Sequence, residues 1–306
     1  MRFRRHILRP LLGACAVAGC GAEDGGRVLV DGSSSMFPVA EAVAEEFRET
    51  RPTVRVSVSI SGSGGGFTRF CAGEIDIANA SRPIDRSEAA ACAANGVEFS
   101  AIPIAWDGLS VVVNPKADFV ECLTLDELAR IWRPGSTVTS WSDLRRGWPD
   151  QEITLYGPGT QSGTFDYFTE VVTGARGASR SDYQASEDDN VLVQGVAGDP
   201  DALGYFGYAY YAENMDDLRL VAVDGGEGCV QPSEQTIAEG RYTPLARLLY
   251  VYVRSGALER PEVREYVTHM LQQAPELVPV TGYRALTSEQ YARSLQELEA
   301  PVGGSP

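Results

Sequence analysis

Apolar positions along this chain switch between two periods, and the switches mark its elements. Val28, Leu29 and Val30 make a short apolar run, read as a buried strand from Arg27 to Val30. From Pro38 to Phe47 the apolar residues recur at helical spacing, Val54 to Ile60 alternates as a strand, and Phe67 to Ala72 starts a second helix. A third strand begins at Ile75 to Ala78. A second block opens with the β-prone run Ile102 to Val113. Thr124, with Glu127 three residues on, is a capping box that opens a helix to Trp132. Ile153 to Tyr156 reads as a strand and Phe165 to Val172 as the helix after it. Leu203 to Tyr211, Leu218 to Val223 and Leu248 to Val253 read as further strands, and the amphipathic stretches Pro261 to Ala274 and Ser288 to Leu298 as closing helices. Strands alternating with helices predict an α/β architecture with parallel sheets.

Composition adds location and excludes partners. The 306 residues hold 42 acidic and 26 basic side chains, a formal net charge of −16 that repels nucleic acid and anionic lipid. The same field repels small anions at long range, so an anion site here must work through short-range hydrogen bonds. Arg2, Arg4, Arg5 and Arg9 precede an apolar stretch from Leu11 to Gly19, the form of an export signal over residues 1–19. Val17-Ala18-Gly19-Cys20 has the small residues that precede a lipidated cysteine, and Leu12-Gly13-Ala14-Cys15 fits the same pattern. Cys20 is preferred, because the earlier site leaves Arg9 and Pro10 inside an apolar region already short. Residues 20–26 are then a polar linker. Removal of the leader leaves Cys71, Cys92, Cys122 and Cys229, for which disulfides are the default in an oxidising compartment. A zinc site is disfavoured, since no two of the four have C-x-x-C spacing and His269 is the only histidine left.

Candidate chemistry lies in three turns of one kind. Gly32-Ser33-Ser34-Ser35, Ser61-Gly62-Ser63-Gly64-Gly65-Gly66 and Gly159-Thr160-Gln161-Ser162-Gly163-Thr164 each follow a predicted strand and precede a predicted helix. Helix N-termini carry unpaired N–H groups and the positive end of the dipole, glycines admit close approach, and hydroxyls donate without bringing charge. One such turn is also what an ordinary capped helix looks like. Three in one chain point to an oxyanion.

Enzyme readings fit poorly. Phe67 stands where the third glycine of a dinucleotide fingerprint belongs, and no phosphate-binding loop of nucleotide triphosphatases occurs, Lys116 being the only lysine. Ser162 as a nucleophile lacks an evident base, with His269 in a helix near the C-terminus. The acids Glu187-Asp188-Asp189 read as the solvated approach to a helix capped by Asn190 rather than a metal site.

Five segments carry a family resemblance: Asp31 to Pro38, Ser61 to Gly66, Asp76 to Pro83, Gly159 to Phe165 and Ala202 to Tyr208. In order and spacing they resemble the phosphate-binding proteins of phosphate-specific ABC importers, the PstS family. The resemblance implies a two-domain periplasmic-binding-protein (type II) clamshell, each domain a mostly parallel sheet flanked by helices, with the anion at the hinge. It implies that Ser34, Ser35 and the backbone of Met36 and Phe37 sit under one face of phosphate with Ser63, and that Ser162, Gly163 and Thr164 close from the other domain. In the family's best-known branch the position of Ser81 is an Asp that accepts the phosphate proton, and that of Pro158 an Arg paired with it; both charges are absent here. Arg82 is the candidate replacement cation, and Asp107 and the Ser81 hydroxyl are candidate acceptors.

The clamshell implies crossings near Ala105 and Leu245, giving domain one as 27–105 plus 246–306 and domain two as 106–245. That division pairs Cys71 with Cys92 and Cys122 with Cys229, since either other pairing would lock the hinge. The implied function is capture of inorganic phosphate for ABC permease subunits by a monomer anchored through lipid, without cofactor or metal and without chemistry on the ligand. Sulfate, molybdate or another oxyanion as ligand, a phosphate-ester hydrolase using Ser162 or a metal, and an exported scavenger without an importer are the competing readings.

Overall fold

The computed structural model describes residues 25–299, with the side chain of Glu299 excepted. The export signal, Cys20 and most of the linker lie outside the described residues. The first half runs β1 (Arg27–Gly32), α1 (Phe37–Thr50), β2 (Arg55–Ile60), α2 (Gly62–Cys71), β3 (Ile77–Ala80), α3 (Arg86–Ala94) and the long β4 (Phe99–Val113). Then follow β5 (Cys122–Thr124), α4 (Leu125–Trp132), β6 (Thr154–Pro158), α5 (Gly163–Thr173), β7 (Gln184–Ser186), α6 (Asp189–Gly198) and β8 (Ala202–Gly207). The remainder is α7 (Tyr208–Ala212), β9 (Arg219–Asp224), β10 (Cys229–Val230), α8 (Glu234–Ala238), β11 (Ala246–Arg254), α9 (Pro261–Val280), β12 (Arg284–Ala285) and α10 (Ser288–Glu299).

The main sheet path is β2-β1-β3-β11-β4-β8-β6-β7. Its flanks are parallel, as the alternation of strands and helices predicts: β2-β1-β3 on one side and β8-β6-β7 on the other. The middle is antiparallel, because β4 and β11 carry the chain in opposite directions between the two flanks. β4 pairs with β11 up to Gly108 and with β8 from Leu109 on, so one strand serves both halves. Two large apolar cores form on either side of this change of partner. One draws on residues 28–105 and 249–298, with Ala209 added; the other draws on residues 109–245. Disulfides join Cys71 to Cys92 and Cys122 to Cys229, so each bridge stays on one side.

Three local departures from the sequence reading have physical causes. The glycine run is helix rather than turn: α2 begins at Gly62. It packs so closely on β1 that a Cβ at Gly66 would come 2.7 Å from the Gly32 Cα, which is why no larger residue stands there. Strand β8 stops at Gly207, and Tyr208 to Ala212 turn helical, with Tyr210 buried and its hydroxyl donating to the Ser34 carbonyl at 2.8 Å. Helix α6 is capped by Asp188, whose side chain accepts from Asn190 N at 3.0 Å, so the cap sits two residues earlier than Asn190. That shift carries Asp189 into the first turn and into the interior, where it is fully buried instead of solvated.

Candidate functional site

Each hydroxyl turn sits where a strand hands over to a helix, and the three converge. After β1 the chain makes a short 3-10 turn over Ser34–Met36 before α1, with Pro38 in the first helical turn where its missing N–H costs nothing. Ser34, Ser35 and Met36 are buried; Met36 N donates to Ser33 O at 3.2 Å and Phe37 N to Ser34 O. Ser63 lies in the first turn of α2, and its Oγ accepts from Ser81 N at 3.0 Å and meets Ser81 Oγ at 3.3 Å. Ser162 caps α5, accepting from Thr164 N at 3.1 Å. A Cβ on Gly163 would lie 2.5 Å from Ser63 Oγ and 2.6 Å from Ser81 Oγ, so only glycine lets this turn approach the serines opposite. Ser35 Oγ and Thr164 Oγ1 are 3.1 Å apart across 129 residues of sequence. The residues singled out in the three turns therefore gather in one place.

The cation among them is one the sequence reading missed. Arg247, on β11, is buried, and its Nη2 donates to Thr164 Oγ1 at 2.7 Å, to Ser35 Oγ at 3.0 Å and to Asp107 Oδ2 at 3.0 Å. Its Nε also donates to Asp107 Oδ2, at 3.2 Å, and its Nη1 to Gly163 O at 3.2 Å. A hydroxyl that accepts from a guanidinium keeps its own proton to donate; one of the pair spends it on the other across their 3.1 Å contact, and an anion that displaces this contact would receive both. Asp107 stands on β4 with its second oxygen, Oδ1, unpartnered among the described residues. Burial pushes the Asp107 carboxyl up, and the Arg247 charge opposes it.

A signal for Arg247 exists in the sequence. Leu249, Val251 and Val253 are the buried alternate positions of β11, and Arg247 is in step with them. A charged residue on the inward face of an apolar strand needs a buried partner.

Arg82 is buried too, but it is committed elsewhere. Its Nη1 and Nη2 donate to the two oxygens of Glu88 at 2.8 Å each, its Nε donates to Asp166 Oδ2 at 2.5 Å, and its Nη1 reaches Pro83 O at 3.1 Å. Burial would lower the pKa of its guanidinium, but Glu88 and Asp166 outweigh that and raise it. Asp166 belongs to the first turn of α5, so this pair ties the first half of the chain to the second. Gly64 N donating to Gln161 O at 2.8 Å is a second tie of the same kind.

Residues 21–273 match the PBP superfamily domain. Protein SphX of Synechocystis sp. is 43% identical over 294 residues, covering 95% of this chain and 88% of the relative. The phosphate-binding protein PstS of Staphylococcus saprophyticus is 35% identical over 300 residues, covering 96% of this chain and 91% of its own. A Clostridium perfringens protein solved with bound phosphate superposes with a TM-score of 0.73 at 25% identity, covering 86% of this chain and all of that one, 100%.

Proposed function

Because the chain belongs to the PstS family of phosphate-binding proteins, within the PBP superfamily, we propose that it captures inorganic phosphate between its two halves and presents it to an ABC permease. The observation that carries this reading is Arg247, which donates at once to Ser35 from one side of the cleft, to Thr164 from the other and to Asp107 between them. Hydroxyls so oriented, at the starts of α1 and α5, replace the water shell of an oxyanion while the negative surface contributes nothing. The ligand-binding set is Ser34, Ser35, Met36, Phe37, Ser63, Ser81, Ser162, Gly163 and Thr164, with Arg247 added and Arg82 assigned to closure.

The hinge lies where β4 changes partner, near Ala105, and at the return near Leu245, dividing 27–105 plus 246–306 from 106–245. Separation of the two apolar cores at these points supports the division. No chemistry is done on the ligand: Ser162 serves as a helix cap, and His269 lies on α9 with Glu46 at 4.0 Å. The protein is exported and works as a monomer held to a membrane by lipid on Cys20; among the described residues no helix is long and apolar enough to cross a membrane. Calorimetric titration tests the ligand: phosphate binds one to one, arsenate competes and sulfate is much weaker. Heat with sulfate and none with phosphate would overturn the reading.

A further inference from the structure

On the face of β4 and β11 turned away from Asp107 and Arg247 lies a cavity of about 330 Å³. Trp106 and Ala246 form its floor. They neighbour Asp107 and Arg247 in the chain, and side chains alternate across a strand, so the same two strands present an ion pair to one face and this cavity to the other. One wall belongs to the first half: Arg284 of β12 pairs in register with Trp106, and Leu286 and Gln290 follow it. The other wall is α8 of the second half, which brings Ile237 and Ala238. A Cβ on Gly108 would lie 2.6 Å from Ile237 Cδ1, so α8 rests directly on β4 where that strand changes partner.

Both walls are fastened to β4, one on each side of that change. The Tyr291 hydroxyl donates to Ile104 O at 2.6 Å and accepts from Leu286 N at 3.1 Å, and the Tyr242 hydroxyl donates to Leu109 O at 2.6 Å. Bending between Ile104 and Leu109 therefore changes the width of the cavity. On the opposite face the halves are in contact, Ser35 Oγ with Thr164 Oγ1 at 3.1 Å and Gly64 N with Gln161 O at 2.8 Å. Rotation that parts those contacts swings α8 toward Arg284 and Gln290 and narrows the cavity. A molecule lodged there opposes the rotation, as a wedge behind a hinge does.

The lining fits one kind of molecule. Trp106, Ile237 and Leu286 offer apolar surface, while Arg284 at the rim is exposed and makes no ion pair among the described residues. A guanidinium at the edge of an apolar floor takes a molecule with an apolar body and a carboxylate at one end. The volume stands at the lower end of the range for small-ligand pockets, about 300–1,000 Å³, which suits a body of one or two rings. We propose that this cavity binds a small amphipathic carboxylate and that its occupation holds the cleft closed, so that the carboxylate and phosphate bind with positive cooperativity. The proposal rests on the hinge and the phosphate reading above. By linkage, each ligand tightens the other by the same factor.

The test is calorimetry with 2-naphthoate as the probe and 2-naphthamide as its uncharged counterpart. The wild-type protein should bind 2-naphthoate one to one, about fivefold or more tighter when phosphate is saturating, and phosphate should tighten by the same factor when naphthoate is saturating. The amide should bind about fivefold weaker than the naphthoate, and Arg284→Gln should bring the naphthoate down to the level of the amide while phosphate affinity without probe stays unchanged. Ala238→Phe, which fills the cavity from the α8 wall, should abolish naphthoate binding and by itself tighten phosphate. Naphthoate affinity that is the same with and without phosphate, or that survives Ala238→Phe, would overturn the proposal, and so would a wild-type protein that binds phosphate and no naphthoate. Should Ala238→Phe not fold, the mutual factor in the wild-type protein decides alone. A protein that binds naphthoate through Arg284 and takes no phosphate would instead fell the phosphate reading, and the cooperativity with it.

Discussion

Two buried arginines stand where the two halves of the chain meet, and their partners assign them different work. Around Arg82 the acceptors are two carboxylates, Glu88 and Asp166, which saturate the guanidinium with charge, and the backbone carbonyl of Pro83. Around Arg247 they are two hydroxyls, one backbone carbonyl and a single carboxylate whose other oxygen is unpartnered among the described residues. The first environment is closed and mechanical: it ties α5 to the segment after β3. The second polarises hydroxyls and leaves their protons to give. Burial of a cation therefore says nothing about ligand binding until its acceptors are counted.

The largest expected effect lies at Arg247. Arg247→Ala strands Asp107 in the interior, so thermal or denaturant unfolding should show a loss of about 3–5 kcal/mol. Phosphate affinity should drop by more than about a hundredfold, the equivalent of two lost charge-assisted hydrogen bonds. In the double variant Arg247→Met/Asp107→Leu, stability should recover while binding stays absent, which separates the two roles of the pair.

Next come the hydroxyls that Arg247 orients and the cap beside them. Thr164→Ala and Ser162→Ala should each weaken phosphate by about 1.5–3 kcal/mol, about ten- to a hundredfold by calorimetry. Ser162→Ala should in addition lower stability by about 1 kcal/mol through the lost cap of α5.

At Arg82 the comparison can be broken. Asp166→Asn cuts the tie between the halves and touches no residue of the anion set, so phosphate affinity should fall by no more than about 1.4 kcal/mol, tenfold, through a less favourable closure. The preference for phosphate over sulfate should not move. A selectivity change in Asp166→Asn would make Arg82 part of the anion site and erase the distinction. The smallest effect is at Ser179, whose hydroxyl donates to Trp132 O at 3.2 Å away from the three turns. Ser179→Ala should leave calorimetric affinity unchanged.

The hydroxyl turns were legible in the sequence because helix starts are local: a serine cap, a glycine and the first apolar residue lie within a few positions of one another. The same locality made the Thr124 and Glu127 capping box readable, and it is formed as expected, Glu127 N to Thr124 Oγ1 at 3.1 Å and Thr124 N to Glu127 Oε2 at 2.9 Å. Arg247 was not legible in that way. It meets Thr164 across 83 residues and Ser35 across 212, and only its place among the inward residues of β11 marks it. Arg82 drew attention by standing beside Ser81, a proximity in sequence that its ion pairs override. Asp189 was lost inside an acidic run, because reading the cap at Asn190 instead of Asp188 leaves it in solvent when the helix in fact carries it inside. Register errors of one or two residues are harmless in a surface helix and decisive where the first turn of a helix faces the interior.

A crystal structure of the protein grown with phosphate tests the distinction between the two arginines most directly. The account predicts the anion within hydrogen-bond distance of Ser35, Ser63, Ser162 and Thr164, next to Arg247, with Arg82 still held by Glu88 and Asp166. Phosphate bound to the Arg82 guanidinium, with Arg247 paired to Asp107 and apart from the ligand, would contradict it.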